Sequence, residues 1–181
     1  MNNSTRKSAL NRFYAVVEEQ NKPEYLGCKY IDDAQYFCNG STVVMLNTGK
    51  FDTPDMENSE WIDVKKVIEI AESKNDFEIP VMDYNELKAY IRELKEQYKQ
   101  GVRNRIIRKP KKGKAQFYKI FKIGKKELGV NAEFLLTVYE LLDEPVTKIM
   151  TLRDHPIDPI YIETEHNKAL LLPVRLTPTT N

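Results

Sequence analysis

Twice along this chain, a stretch with helical apolar spacing is followed by short strand-like segments divided by turn-forming residues. That recurrence limits the available folds more than any other feature. In the first instance Leu10, Phe13, Tyr14 and Val17 repeat at helical spacing through 8–19, with Asn11, Arg12 and Glu18 on the opposite side. Asn21, Lys22 and Pro23 stop the helix. Strand-like segments 25–31, 34–38 and 42–47 follow, separated by the turn formers Asp32-Asp33 and Asn39-Gly40-Ser41. In the second instance Asn131 is placed as an N-cap and Glu133 favours the helix dipole. Phe134, Leu135, Val138, Leu141 and Leu142 then form one apolar face. Asp143-Glu144-Pro145 ends that helix. Segments 146–152, 159–163 and 169–176 read as strands, with Glu165-His166-Asn167-Lys168 as a hairpin turn. A further strand-like run, 116–123, precedes this second unit.

The middle of the chain has another character. Asp63 can cap a helix carrying Val64, Val67, Ile68 and Ala71 on one face. Asp83 and Glu86 form a D-x-x-E capping pair before a longer helix whose apolar seam is Leu87, Ile91, Leu94 and Tyr98. A seam so narrow suits packing on a single partner surface. The helix ends near Gly101, and Lys109-Pro110-Lys111-Lys112-Gly113-Lys114 is too polar and too rich in breakers to pack a core, so it reads as an exposed loop.

Charge separates this middle from the rest. Twelve of the 28 lysines and arginines lie between Gln97 and Lys126, where no acidic residue occurs. The remainder of the chain is therefore acidic, although the whole carries a formal +1. Such a split points to a face or loop that meets an anion, with nucleic acid as the usual candidate; a solvated charged loop is the plainer reading. On these grounds Arg103, Arg105, Arg108, Lys109, Lys111 and Lys112 are the candidate phosphate contacts. Tyr98, Phe117 and Tyr118 lie close enough in sequence to stack on bases, but their spacing favours the core.

The 181 residues suffice for one domain with a core, and 41% apolar with 30% charged residues is too apolar for a disordered chain. No apolar run approaches the roughly 18 residues that span a bilayer. Residues 1–7 are polar and unlike a signal peptide. Cys28 and Cys38 fall in strand-like segments and read as reduced core thiols, so a cytoplasmic location without membrane contact is expected. The chemistry of a catalyst is not assembled. His155 and His166 sit at turns without metal-ligand spacing, and no phosphate-cradling glycine loop occurs. Asp32-Asp33 and Asp143-Glu144 are explained by turns and a helix end. The expectation is a binding protein, with no enzyme activity, no cofactor and no metal.

A family resemblance enters in the last third. Gly129-Val130-Asn131-Ala132-Glu133-Phe134-Leu135-Leu136 resembles the G-F-N-x-x-Y-L-L helix start of the bacterial DNA sliding clamp, the β subunit of the replicative polymerase. Glu144-Pro145-Val146, Pro159-Ile160-Tyr161-Ile162-Glu163 and Leu171-Leu172-Pro173-Val174-Arg175-Leu176 follow in the family's order, the last resembling its terminal L-M-P-x-R-L. Gly27 to Asp33 and Asn39 to Val44 resemble the family more weakly, and Asn39 stands where the family has an aspartate. The resemblance implies an α+β, DNA-clamp-like domain of two helix-plus-antiparallel-strand repeats, closest to the C-terminal clamp domain. Its first half would be 8–50 and its second 116–176, with a helical and basic insertion at 51–115 and a short tail at 177–181. It also implies helices facing DNA and sheets facing outward. The helix at 131–142, however, carries two glutamates and no basic residue. Leu172, Pro173, Val174, Arg175 and Leu176 correspond to the family's seat for clamp-binding peptides of polymerase and repair proteins; an ordinary sheet strand is the alternative. The implied function is a sliding-clamp-like protein that binds DNA, replication and repair proteins, or both. The alternative is a protein adaptor that keeps the fold without encircling DNA and docks a partner on the 83–100 seam. The oligomeric state stays open.

Overall fold

A computed structural model describes residues 2–19, 27–55, 62–74, 77–109, 114–124, 126–151 and 158–174. The stop signal at Asn21 to Pro23, the loop at 110–113, His155, and the terminal Arg175 and Leu176 lie outside them. The described chain is α+β, with helices packed on antiparallel sheets.

The first helix, α1 (Asn3–Glu19), buries Ala9, Leu10 and Phe13 on one side. It leads to β1 (Lys29–Ile31), β2 (Ala34–Cys38) and β3 (Thr42–Leu46), an antiparallel meander. Asp32 and Asp33 both take positive φ (49° and 63°), the twist that a two-residue hairpin requires. Farther along, α4 (Ala132–Leu142) leads to β8 (Lys148–Thr151), β9 (Ile160–Glu163) and β10 (Lys168–Leu171), a second meander. β3 and β10 pair antiparallel, with Val44 opposite Ala169, so the two meanders form one sheet. Its order is β1-β2-β3-β10-β9-β8-β4, where β4 is the short edge strand Phe77–Glu78. α1 and α4 pack on each other and on one face of this sheet, over Phe37, Val44, Leu46, Ile149, Ile162 and Ala169.

A buried asparagine marks each repeat at the same place. Asn39, in the turn before β3, accepts the backbone N–H groups of Ser41 and Thr42 and donates to Phe13 O of α1. Asn167, in the turn before β10, accepts from Asn47 and Thr48 and donates to Leu142 O of α4. Each amide ties the turn of a meander to the helix that precedes it.

Segment 51–115 is built into the packing on both sides. α2 (Val64–Ser73), capped by Asp63 onto the Lys66 N–H, lays Val64, Ile68 and Ala71 on the second sheet face. There it meets Tyr36, Cys38, Val43, Met150, Tyr161 and Leu170, the alternate residues of strands whose other side chains face α1 and α4. The outward sheet face implied by the clamp resemblance is therefore covered, and β2 is buried at every position. α3 (Tyr84–Lys99) begins with a complete capping box, Asp83 onto the Asn85 and Glu86 N–H groups and Glu86 back onto the Asp83 N–H. Asp83→Ala should cost about 1 kcal/mol, read as a lowered urea midpoint at unchanged slope. Leu87, Ile91 and Leu94 of α3 are buried against α4 and a smaller sheet of β5 (Ile107–Arg108), β6 (Gln116–Ile123) and β7 (Lys126–Asn131). The 83–100 seam is thus filled from within the chain, which corrects its assignment to an external partner.

α4 lies between α1 and α3, and eight of its eleven residues are buried. A helix so covered presents little surface of its own to a DNA channel, unlike the DNA-facing helix that the resemblance implies. Its Glu140 is 6% exposed and is held by Arg12 and by the Tyr84 hydroxyl at 3.0 Å. Arg6, 8% exposed, bonds Gly49 O and Leu141 O and so satisfies an end carbonyl of α4.

Past α4, Asp143 takes the left-handed conformation (φ 57°) and ends the helix. Glu144 then collects the Thr164 hydroxyl at 2.5 Å, the Thr48 hydroxyl at 2.7 Å and the His166 N–H at 3.0 Å. Burial alone would raise its pKa, but these bonds outweigh burial and hold the carboxyl at about 2. Since the folded value lies below the ordinary 4.5, Glu144 contributes stability above pH 4.5 that is lost as pH falls toward 2. Glu144→Gln should cost about 2 kcal/mol at neutral pH and flatten the decline in urea midpoint across that acid window.

Candidate functional site

The charge-biased segment is held by a small apolar anchor. Ile107 is fully buried with Leu94 and Phe117, and partly buried Tyr98 packs against that cluster. Asn104 shapes the approach: its Oδ1 accepts the Ile106 and Ile107 N–H groups, each at 2.9 Å. The basic residues on either side of Ile107 are consequently carried on a braced turn.

Around that turn lies a cleft of about 620 Å³ bordered by Arg103, Asn104, Arg108, Lys109, Gln116 and Tyr118. The Arg103 guanidinium rests 3.8 Å from the centre of the Tyr98 ring, and its Nη1 donates to Tyr98 O and Val102 O. Arg108 lies 5.3 Å over the ring of Tyr118. Stacking fixes the plane of a guanidinium, so both arginines carry their charge at the cleft in a set orientation. Burial pushes the Tyr118 phenol up, against the lowering effect of Arg108, and its hydroxyl donates to Gln116 Oε1 at 2.6 Å. Tyr118 therefore stays a neutral platform. Lys109 is exposed at the same cleft.

The sequence candidates divide accordingly. Arg103, Arg108 and Lys109 converge on one cleft. Arg105 points elsewhere and forms a two-point ion pair with Glu127 of β7, its Nη2 at 3.0 Å from Oε1. Lys111 and Lys112 lie outside the described residues. Phe117 and Tyr118 are buried and Tyr98 is covered by Arg103, so these rings serve packing and support rather than base stacking. Asn104 and Gln116 were not singled out from the sequence. The Asn at the start of a turn is the signal that could have found the first.

Of the C-terminal candidates, Leu172, Pro173 and Val174 do not continue strand β10. β10 ends at Leu171, short of the expected 176. The Leu172 N–H then bonds Ser41 O and the Val174 N–H bonds Gly129 O of β7, both at 2.9 Å. This stretch crosses from the large sheet to the small one, leaving Leu172 45% exposed and Pro173 and Val174 half-buried. Arg175 and Leu176 lie outside the described residues. Cys28 and Cys38 are both buried and are not joined in a disulfide. His166 is exposed, with Nδ1 3.1 Å from Glu144. No helix among the described residues is long and apolar enough to cross a membrane.

Comparison with known protein families, with curated proteins and with solved structures finds no match.

Proposed function

We propose that this chain is a non-enzymatic, sliding-clamp-like module that binds nucleic acid on its outer surface, at the Arg103–Arg108–Lys109 cleft, without encircling it. The observation that carries this reading is the convergence of three cations, two of them stacked on tyrosines, within a stretch that holds no acidic residue. Phosphate contacts dominate nucleic-acid affinity and need no sequence readout. The clamp part of the proposal draws support from the paired α-βββ units, their shared sheet through β3 and β10, and the matching asparagines in their turns. Binding at an outer surface, rather than in a ring, is favoured by α4 lying beneath α3. The exposed Leu172 supports a second contact, with clamp-binding peptides of polymerase or repair proteins.

The test is fluorescence anisotropy of the protein with labelled single-stranded and duplex oligonucleotides across a salt series. Binding that weakens linearly in log affinity against log salt is expected. Absence of binding at about 50 mM salt would remove the nucleic-acid reading and leave the adaptor.

A further inference from the structure

A different cleft, of about 1040 Å³, opens between α3, β6 and the residues Pro80, Val81 and Met82. Its wall on the sheet side is a bare strand edge. Within β6, Tyr118 turns its backbone groups away from β7: the N–H donates to Ile106 O at 2.9 Å, and the C=O accepts the Tyr90 hydroxyl at 2.8 Å. Backbone groups change sides at every residue of a strand, so those of Ile120 and Lys122 face the same way as those of Tyr118. β5 reaches only Gln116 and Phe117. Among the described residues nothing pairs with Ile120 or Lys122 on that side. An edge of this kind is a template for one more strand.

We infer that this cleft receives an extended segment of a partner protein, added as a strand along β6 at Ile120 and Lys122. Ala89, Tyr90 and the 39% exposed Val81 offer apolar surface to alternate side chains of such a segment. Charge selects the class of occupant. Glu86, Glu93 and Glu96 line the α3 wall together with Arg92, so that wall is net acidic, while Lys119 and Lys122 line the β6 wall. A nucleic acid would bring its phosphates against three carboxylates. A peptide whose solvent-side residues alternate in sign meets both walls. Lys119 rests 4.8 Å from the centre of the Tyr90 ring, so the floor joins the two walls. This inference stands apart from the nucleic-acid reading, because the Arg103 cleft shares none of these residues.

The experiment uses the full chain, uniformly ¹⁵N-labelled, and an array of capped octapeptides. In each peptide an apolar residue (Val, Ile, Leu or Phe) alternates with Glu and Lys in turn. Members that bind are expected to shift the amide signals of Ile120 and Lys122. N-methylation of the best binder at alternate residues should weaken it at least tenfold in one register and leave the other within about twofold, because only one set of amides faces β6. Ala89→Arg fills the α3 wall at an exposed position, and it should lower affinity at least tenfold with an unchanged thermal midpoint. The inference is overturned if no array member binds, if both methylation registers lose affinity equally, or if the shifts map away from Ile120 and Lys122. It is equally overturned if these amides shift with protein concentration alone, which assigns the edge to a second copy, or with a single-stranded oligonucleotide in place of the peptides.

Discussion

Replacing Arg103, Arg108 and Lys109 with glutamine in one variant is expected to lower single-stranded oligonucleotide affinity by one to two orders of magnitude at about 50 mM salt. It should also make the dependence of log affinity on log salt shallower by about 2 to 3, because each phosphate left without its cation takes away about 0.7 for a single strand and 0.9 for a duplex. The slope is the more telling measurement, since it reports how many phosphates are neutralised and is insensitive to a small change in fold. Arg105→Gln serves as the comparison. Its guanidinium is committed to Glu127, so its removal is expected to change the slope by much less than one. A triple variant that binds with the wild-type slope would show that phosphates are held elsewhere, and the cleft would lose its role. Folding should survive the triple change, because Ile107, Leu94 and Phe117 anchor the turn without these side chains.

Asn167→Ala is expected to destabilise the protein by about 3–5 kcal/mol, more than the loss of either Asp83 or Glu144. The side chain is 1% exposed and completes three otherwise unmet backbone groups: the Asn47 N–H at 2.9 Å, the Thr48 N–H at 3.1 Å and the Leu142 C=O at 2.8 Å. Alanine leaves the Leu142 C=O without its partner in a buried place, and the Asn47 and Thr48 N–H groups, on exposed residues, lose theirs in a part-buried one. The three groups belong to the two residues after β3 and to the end of α4, so the loss falls where the two α-βββ units join. Chemical denaturation followed by circular dichroism reads the effect as a fall in midpoint. A loss below about 1 kcal/mol would mean that water reaches these groups, and the joint would then be looser than its burial indicates.

Much of the secondary structure was legible because it depends on neighbours in sequence. The capping residues Asp63, Asp83 and Asn131 were each placed correctly, since an N-cap needs only a side-chain oxygen two or three residues before a free N–H. The β6 run matches 116–123 end to end, for its apolar and β-branched residues change to Gly-Lys at a turn. β7 was missed. Leu128 and Val130 alternate in it, yet Glu127, Gly129 and the capping Asn131 gave the segment the look of a loop leading to a helix. β10 was drawn too long, because Leu172, Pro173 and Val174 are as apolar as the strand before them and only their change of partner, from Ser41 to Gly129, ends it. Of the candidate site, Arg103, Arg108 and Lys109 could be named from charge alone. That Arg105 would be spent on Glu127, 22 residues away, could not.

The sequence by itself determined where the four described helices and most of the longer strands run, which apolar residues each of these turns inward, and that a basic stretch stands apart from an acidic remainder. Periodicity and capping are local, and 3.6- and 2-residue repeats are printed directly in the order of side chains. What covers each apolar face was decided only in three dimensions. The seam of α3 looked free for a partner and is closed by α4 and β6; the outer face of the sheet looked open and carries α2. The strand edge left open at β6 exists because β5 stops after two residues. A period states that a face must be buried. It does not state against what, because that depends on which distant segments reach it first and fit it best.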